Sequence, residues 1–220
     1  MKSASEIMMN NAGATDSARL RGEMRLLPRR PPWAGCWAGL IGLLFIFCLP
    51  RFAAGQEFVK ANPSNVEAAF LRNFARYVTW PAHAFADESS PWNICILGSD
   101  PFGEVLEKTF KGRTEQGRPF EIFRADTLNE LPECQIVFVA YKDAARRRAA
   151  LTGLKNRPVL TVADAPGFLR EGGIIRFQVG DYVEMSINLD QARSVSLKIQ
   201  TKMLEVTREV VENGAVRRRR

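Results

Sequence analysis

The sequence predicts an α/β domain: a mainly parallel sheet with helices on both faces, a late antiparallel hairpin and a long C-terminal helix. Three observations predict it. Short, nearly uncharged runs such as Trp92–Leu97, Ile136–Ala140 and Val159–Val162 suit strands buried on both faces. Segments with helical periodicity alternate with them. Two further apolar runs, Ile174–Val179 and Val183–Leu189, sit close enough in sequence to pair antiparallel.

Each element has its own signals. Ser64-Asn-Val-Glu67 is a capping-box pattern opening the first helix. Val66, Phe70, Phe74 and Tyr77 recur at three- and four-residue steps, with Arg72, Arg76 and Thr79 opposite. Pro81 ends that helix just after Trp80. After the first strand, Gly98-Ser-Asp-Pro101 turns the chain. Asp100 is the expected N-cap and Pro101 the first residue of a helix running to Phe110. Pro119–Phe123 reads as the next strand. A charged helix follows from Asp143 to Leu154, and its Arg146, Arg147 and Arg148 cover most of a turn, which reads as a solvated face. Gly172-Gly173 makes a turn before the hairpin. The last helix is expected from Asp190 to Glu212, with a core stripe of Ala192, Val195, Ile199, Met203, Val206 and Val210. A second apolar row, Leu197, Leu204 and Val211, is either covered by a neighbouring helix or presents a surface for a partner or for a homodimer.

The front of the chain reads differently. Trp33–Leu49 is a seventeen-residue stretch without charge, preceded by Arg25, Arg29 and Arg30 and followed by Ala53-Ala-Gly55. A basic region, an apolar stretch and a small-residue exit describe a cleaved export signal, with cleavage expected between Gly55 and Gln56. The alternative is a short membrane anchor. The twenty-three residues before Met24 are long for such a signal, which suggests Met24 as a start. The expected organisation is a signal over 1–55, a linker over 56–63, one domain over 64–212 and a basic disordered tail over 213–220.

Charge and cysteines then bound the function. The whole chain carries +7. Beyond residue 55 there are 24 basic and 21 acidic residues, and Arg217–Arg220 account for four of the basic ones. The body is therefore nearly neutral, which argues against a nucleic-acid partner. Cys36 and Cys48 lie in the signal, leaving Cys95 and Cys134. An even pair in an exported chain points to a disulfide, and the alternative is two buried thiols.

Catalytic chemistry finds little support. His83 is the one histidine, so a Ser/His/Asp, Cys/His or histidine-based metal site is unavailable; its place after Pro81 reads as a solvated loop. Gly98-Ser-Asp-Pro-Phe-Gly103 lacks the Gly-Lys-Ser/Thr ending of a phosphate-binding loop. Asp100, Asp164 and Asp181 are scattered at turns, where such residues usually cap. No enzyme, metal or cofactor is expected.

Several stretches resemble one known family. Val66-Glu-Ala-Ala-Phe-Leu-Arg-Asn-Phe-Ala-Arg-Tyr-Val-Thr-Trp-Pro81 resembles the opening helix of YfiR-like periplasmic proteins. So do Ile94-Cys-Ile-Leu-Gly98 with Asp100-Pro-Phe-Gly103, and Pro158-Val-Leu-Thr-Val-Ala-Asp164 through Pro166-Gly-Phe168 and Gly172-Gly173. Met185-Ser-Ile-Asn-Leu-Asp190 and Leu197-Lys-Ile-Gln-Thr-Lys-Met-Leu204 continue the likeness, which spans about residues 60–212. The resemblance implies an exported α/β protein without catalysis that holds a membrane diguanylate cyclase inactive through its periplasmic domain. It also implies an OmpA-like outer-membrane lipoprotein that draws the repressor away, and it matches Cys95 and Cys134 to one family disulfide. A second cysteine pair of better-known members is missing here.

Two functions are expected to compete. A protein-binding repressor predicts exposed apolar surface at Trp80, Phe168, Leu197, Leu204 and Val211. A periplasmic small-molecule module feeding a sensor such as a histidine kinase predicts instead a pocket at the carboxyl ends of the strands, near Gly98, Asp100, Asp164 and Phe168.

Overall fold

A computed structural model describes residues 62–218 apart from Asp181. The expected signal sequence, the Gly55–Gln56 cleavage point, nearly all of the linker and the last two arginines lie outside the described residues.

Helix α1 (Pro63–Tyr77) starts two residues earlier than the capping box suggests. Asn62 is its N-cap and accepts from the Ser64 N–H, and Pro63 takes the first position. Tyr77 leads directly into β1 (Val78–Thr79). The chain then forms β2 (Trp92–Leu97), α2 (Val105–Phe110), β3 (Thr114–Glu115), β4 (Arg118–Ala125), β5 (Ile136–Val139), α3 (Ala144–Gly153), β6 (Leu160–Ala163), β7 (Ile175–Val179) and β8 (Val183–Asn188). The expected hairpin is β7–β8, paired antiparallel from Ile175↔Ile187 to Val179↔Val183. Helix α3 is capped by Asp143, whose side chain accepts from the Arg146 N–H at 2.8 Å. Asp100 caps no helix. It accepts from Phe102 N–H at 2.7 Å in a local turn, and α2 begins five residues later.

The C-terminal third departs most from expectation. Among the described residues there is no long helix in this part of the chain. Instead come α4 (Leu189–Ser194), β9 (Lys198–Ile199), α5 (Thr201–Glu205), β10 (Glu209–Glu212) and β11 (Ala215–Arg218). Ser196 has a left-handed backbone (φ 62°), which stops α4. Lys198 and Ile199 pair with Thr79 and Val78 in a small separate ladder. The β-branched residues Val206, Thr207, Val210 and Val211 suit extended chain better than helix. Within the run expected to be a disordered tail, Ala215–Arg218 is a strand. Asn213 (φ 53°) and Gly214 (φ 71°) close a two-residue hairpin between β10 and β11, the left-handed pair that favours Asn-Gly.

The main sheet runs β11-β10-β8-β7-β6-β5-β2-β4-β3. Pairs β2–β4, β2–β5, β5–β6, β6–β7 and β8–β10 are parallel, and β3–β4, β7–β8 and β10–β11 are antiparallel. Two cores result, one per face. Ile94, Ile96, Phe138, Val162 and Phe177 pack against Leu71 and Phe74 of α1, Leu106 of α2, Ala192 of α4 and Met203 of α5. Cys95, Leu97, Val137, Val139 and Ala163 point the other way, onto Ala150 of α3 with Leu154 and Phe168. Helices do lie on both faces, but α3 alone covers the second one.

Cys95 and Cys134 are bonded, with Cα atoms 6.1 Å apart. Cys95 is in β2 opposite Val137 of its neighbour β5, and Cys134 lies just before β5. The bond closes a separation of 39 residues in the second core. Replacing both cysteines with Ala should lower unfolding free energy by roughly 4 kcal/mol or less in the chain-entropy limit. Denaturant titration of the oxidised wild type against the double variant measures it, and an unchanged midpoint refutes it.

Candidate functional site

The parallel strands β2, β5 and β6 end on one edge of the sheet, and the loops leaving them enclose a cavity of about 660 Å³. Its lining comes from six places, one of them Arg147 of α3. Ser99, Asp100 and Pro101 follow β2; Ala140, Tyr141 and Lys142 follow β5; Asp164, Ala165 and Pro166 follow β6. Glu67 reaches in from the first turns of α1, and Gln178 and Val179 from the end of β7. Clefts at the carboxyl ends of parallel strands are the usual ligand position in open α/β sheets.

Asp100 and Asp164 therefore come together as expected, and Gly98 sits next door. Gly98 borders a second hollow of about 420 Å³ that shares Ser99, Ala140, Tyr141 and Lys142 with the first. Its left-handed φ of 99° and the Tyr141 ring, 2.7 Å from where a Cβ would sit, make glycine necessary there. Tyr141 is held in turn by a hydrogen bond to the Asp126 carbonyl and by the Arg146 guanidinium 4.2 Å over its ring.

The carboxylates of the cavity differ in their partners. Asp100 accepts from Arg124 Nε at 2.6 Å, and Arg124 also binds Glu107 at 2.6 Å and holds its carboxyl below the ordinary range. Glu67 behaves oppositely. Burial without a cationic partner, and then the charge of Asp164, push its pKa from 4.5 to about 7. Reading Glu67 as a capping residue missed this, because its approach to Asp164 is tertiary. The protonated fraction of Glu67 near neutrality can donate a hydrogen bond. That is equipment for binding a polar molecule.

Arg147 is the other residue the sequence misplaced. Far from lying on a solvated face, it is buried, and it donates through Nε and Nη2 to both oxygens of Glu171 at 2.7 Å. Its Nη1 donates to the carbonyls of Tyr141 (3.0 Å) and Lys142 (2.6 Å). The bidentate bond holds the Glu171 carboxyl below its usual range.

The expected apolar contact residues mostly turn inward. Trp80 is buried; its indole N–H donates to the Gln135 carbonyl at 3.2 Å, and its ring meets Trp92 edge-on at 4.9 Å. Phe168 is fully buried, packed so close to Gly173 that a Cβ there would lie 2.2 Å from the ring. Leu197 is also core, while Leu204 is half-buried against it. Val211 is half-buried on β10 and faces a different groove. Without the long helix, the three share no row. His83 lies exposed in a short 3₁₀ turn (Ala82–Ala84), away from the cavity lining. Among the described residues, no group of three or more His, Cys, Asp or Glu could hold a metal, and no helix is long and apolar enough to cross a membrane.

This architecture has a counterpart among known families: the model of the YfiR/HmsC-like family matches residues 64–208. The chain belongs to the YfiR/HmsC-like family. The family is regulatory, non-catalytic and periplasmic, in keeping with a site equipped to bind. A comparison with curated proteins finds no match. The matched region ends just before the β10–β11 hairpin.

Two outcomes are expected. Arg147→Ala leaves Glu171 charged and buried without a partner, and should cost about 3–5 kcal/mol; urea unfolding measures it, and a loss under 1 kcal/mol refutes the pair's role. Glu67 has a raised folded-state pKa, so its stabilising contribution is complete below about pH 4.5 and is lost as pH rises through about 7. Glu67→Gln should therefore remove part of that decline and gain about 1–2 kcal/mol at pH 8, discounted for the water that still reaches the group. Melting curves at pH 4.5, 6 and 8 test the slope; parallel curves for the two proteins refute it.

Proposed function

We propose that this protein is a non-catalytic periplasmic regulator that binds and represses the periplasmic domain of an inner-membrane signalling protein, a diguanylate cyclase. The family match across residues 64–208 carries this reading. An OmpA-like outer-membrane lipoprotein is the proposed partner that relieves repression. A repressor must bind one state of its target better than another. A rigid body with fixed loops is suited to that, and the disulfide and the Arg147–Glu171 pair supply the rigidity.

One observation favours a second reading, a small-molecule module serving a sensor such as a histidine kinase. The cavity at the strand ends has a volume typical of ligand sites and carries Glu67, Asp164 and Lys142 on its lining. The two readings combine if a ligand in the cavity tunes the partner's affinity.

Deletion of the gene should raise cellular cyclic-di-GMP, and expression of the exported wild type should restore it. Nucleotide extraction with mass spectrometry measures both. Unchanged cyclic-di-GMP on deletion overturns the cyclase assignment.

A further inference from the structure

The second sheet face is covered by α3 only over its centre. Over β7, β8, β10 and β11 it is open, and the turn after β6 walls one side of a groove of about 750 Å³. Strand alternation sets which residues line it. Arg176, Ser186, Glu209 and Arg218 are successive partners across the four strands, so they form one row on this face. Arg170 projects from the wall, and Val216 lies beside Arg218 on the same face.

The row is short of negative charge. Glu209 is its one carboxylate and lies 3.8 Å from Arg218 Nε. Among the described residues, neither Arg170 nor Arg176 forms an ion pair. Arg176 donates to the Gln178 side chain, while its Nε is buried without a hydrogen-bond partner. Three guanidinium groups therefore face one carboxylate. Arg176 and Arg218 are three strand steps apart, about 14 Å. No single small anion bridges that gap, but carboxylates four residues apart on an extended chain are spaced about 13 Å.

We infer that this groove binds an extended acidic polypeptide segment of a protein partner, whose carboxylates meet Arg176, Arg170 and Arg218. The inference rests on the protein-binding reading above for who supplies the segment. It also reaches past the family match, since β10 and β11, which carry Glu209, Val216 and Arg218, follow the matched residues 64–208.

The probe is a fluorescein-labelled (Thr-Glu) repeat peptide long enough to cross the groove, titrated by anisotropy against the purified, oxidised protein. A (Thr-Lys) repeat is the charge control, and free glutamate and inorganic phosphate are competitors. Arg176→Gln, and separately the pair Arg170→Gln with Arg218→Gln, should each weaken binding about tenfold. Arg217 lies on the same strand but pairs with Val210, which packs on the first core, so by alternation it points to the opposite face. Arg217→Gln therefore removes an equal charge and should change affinity less than about twofold. Melting curves accompany each variant, and the exposed Arg170/Arg218 pair decides the matter if Arg176→Gln misfolds. Equal weakening by Arg217→Gln, equal binding of the Lys peptide, or full displacement by free glutamate or phosphate overturns the inference. Peptide binding needs no cyclase, so an unchanged cyclic-di-GMP level on deletion sinks the repressor reading and not this one.

Discussion

Much of the functional end of this protein hangs on the ion pair between Arg147 and Glu171. Both side chains are almost out of water, at 8% and 10% exposure. Charges so placed must satisfy each other, because neither has solvent to fall back on. The guanidinium uses Nε and Nη2 on the carboxylate and Nη1 on two loop carbonyls. One side chain thereby joins α3, the loop after β5 and the turn after β6. The loop contributes Tyr141 and Lys142 to the cavity, and the turn contributes Pro166 to the cavity and Arg170 to the groove. Both candidate binding regions inherit their shape from this pair.

The turn is held from beneath as well. Phe168 fills the second core, and Gly173 lets the returning chain pass directly over its ring. An apolar anchor below and a charged clamp above leave the turn little freedom, so its exposed residues are presented in a fixed geometry. Trp80 has a comparable part at the opposite end of the strands. Its contacts with Trp92 and the Gln135 carbonyl seal the first core where α1 gives way to the sheet. Large aromatics in Pro- or Gly-rich turns thus serve the fold here, and their burial removes them from direct contact with a partner.

What could be read from sequence follows the physical range of each signal. Runs such as Ile136–Val139 and Leu160–Ala163 are apolar but for Thr161 because both faces are covered, and they were legible as central strands. Asp100 and Asp164 were legible as cavity residues, since topology alone places the ends of β2 and β6 at one edge. The last third was misread because apolar spacing is ambiguous there. Ala192 and Met203 do face the core at helical spacing, yet they belong to two short helices interrupted by Ser196. Asn213-Gly214, a strong hairpin signal, was present and overlooked beside the basic run that follows it. Arg147 was hidden in an arginine triplet, and Glu67 in a capping motif. Their partners, Glu171 and Asp164, lie 24 and 97 positions away, beyond any local pattern.

The two sheet faces differ in a way that bears on function. One is closed by α1, α2, α4 and α5, and its apolar residues are spent on the core. The other is closed by α3 over β2, β5 and β6, and farther out most of its residues turn polar: Arg176, Ser186, Asn188, Glu209. An open sheet face needs polar residues to stay in water, so openness by itself identifies no site. What distinguishes this face is the imbalance within it. A merely solvated surface does best with charges of both signs interspersed, whereas here cations outnumber anions and one guanidinium nitrogen is buried without a partner. The β10–β11 hairpin that extends this face brings Arg218 to it, opposite Glu209. The matched residues 64–208 thus supply most of the scaffold, while the hairpin beyond them supplies part of the basic surface.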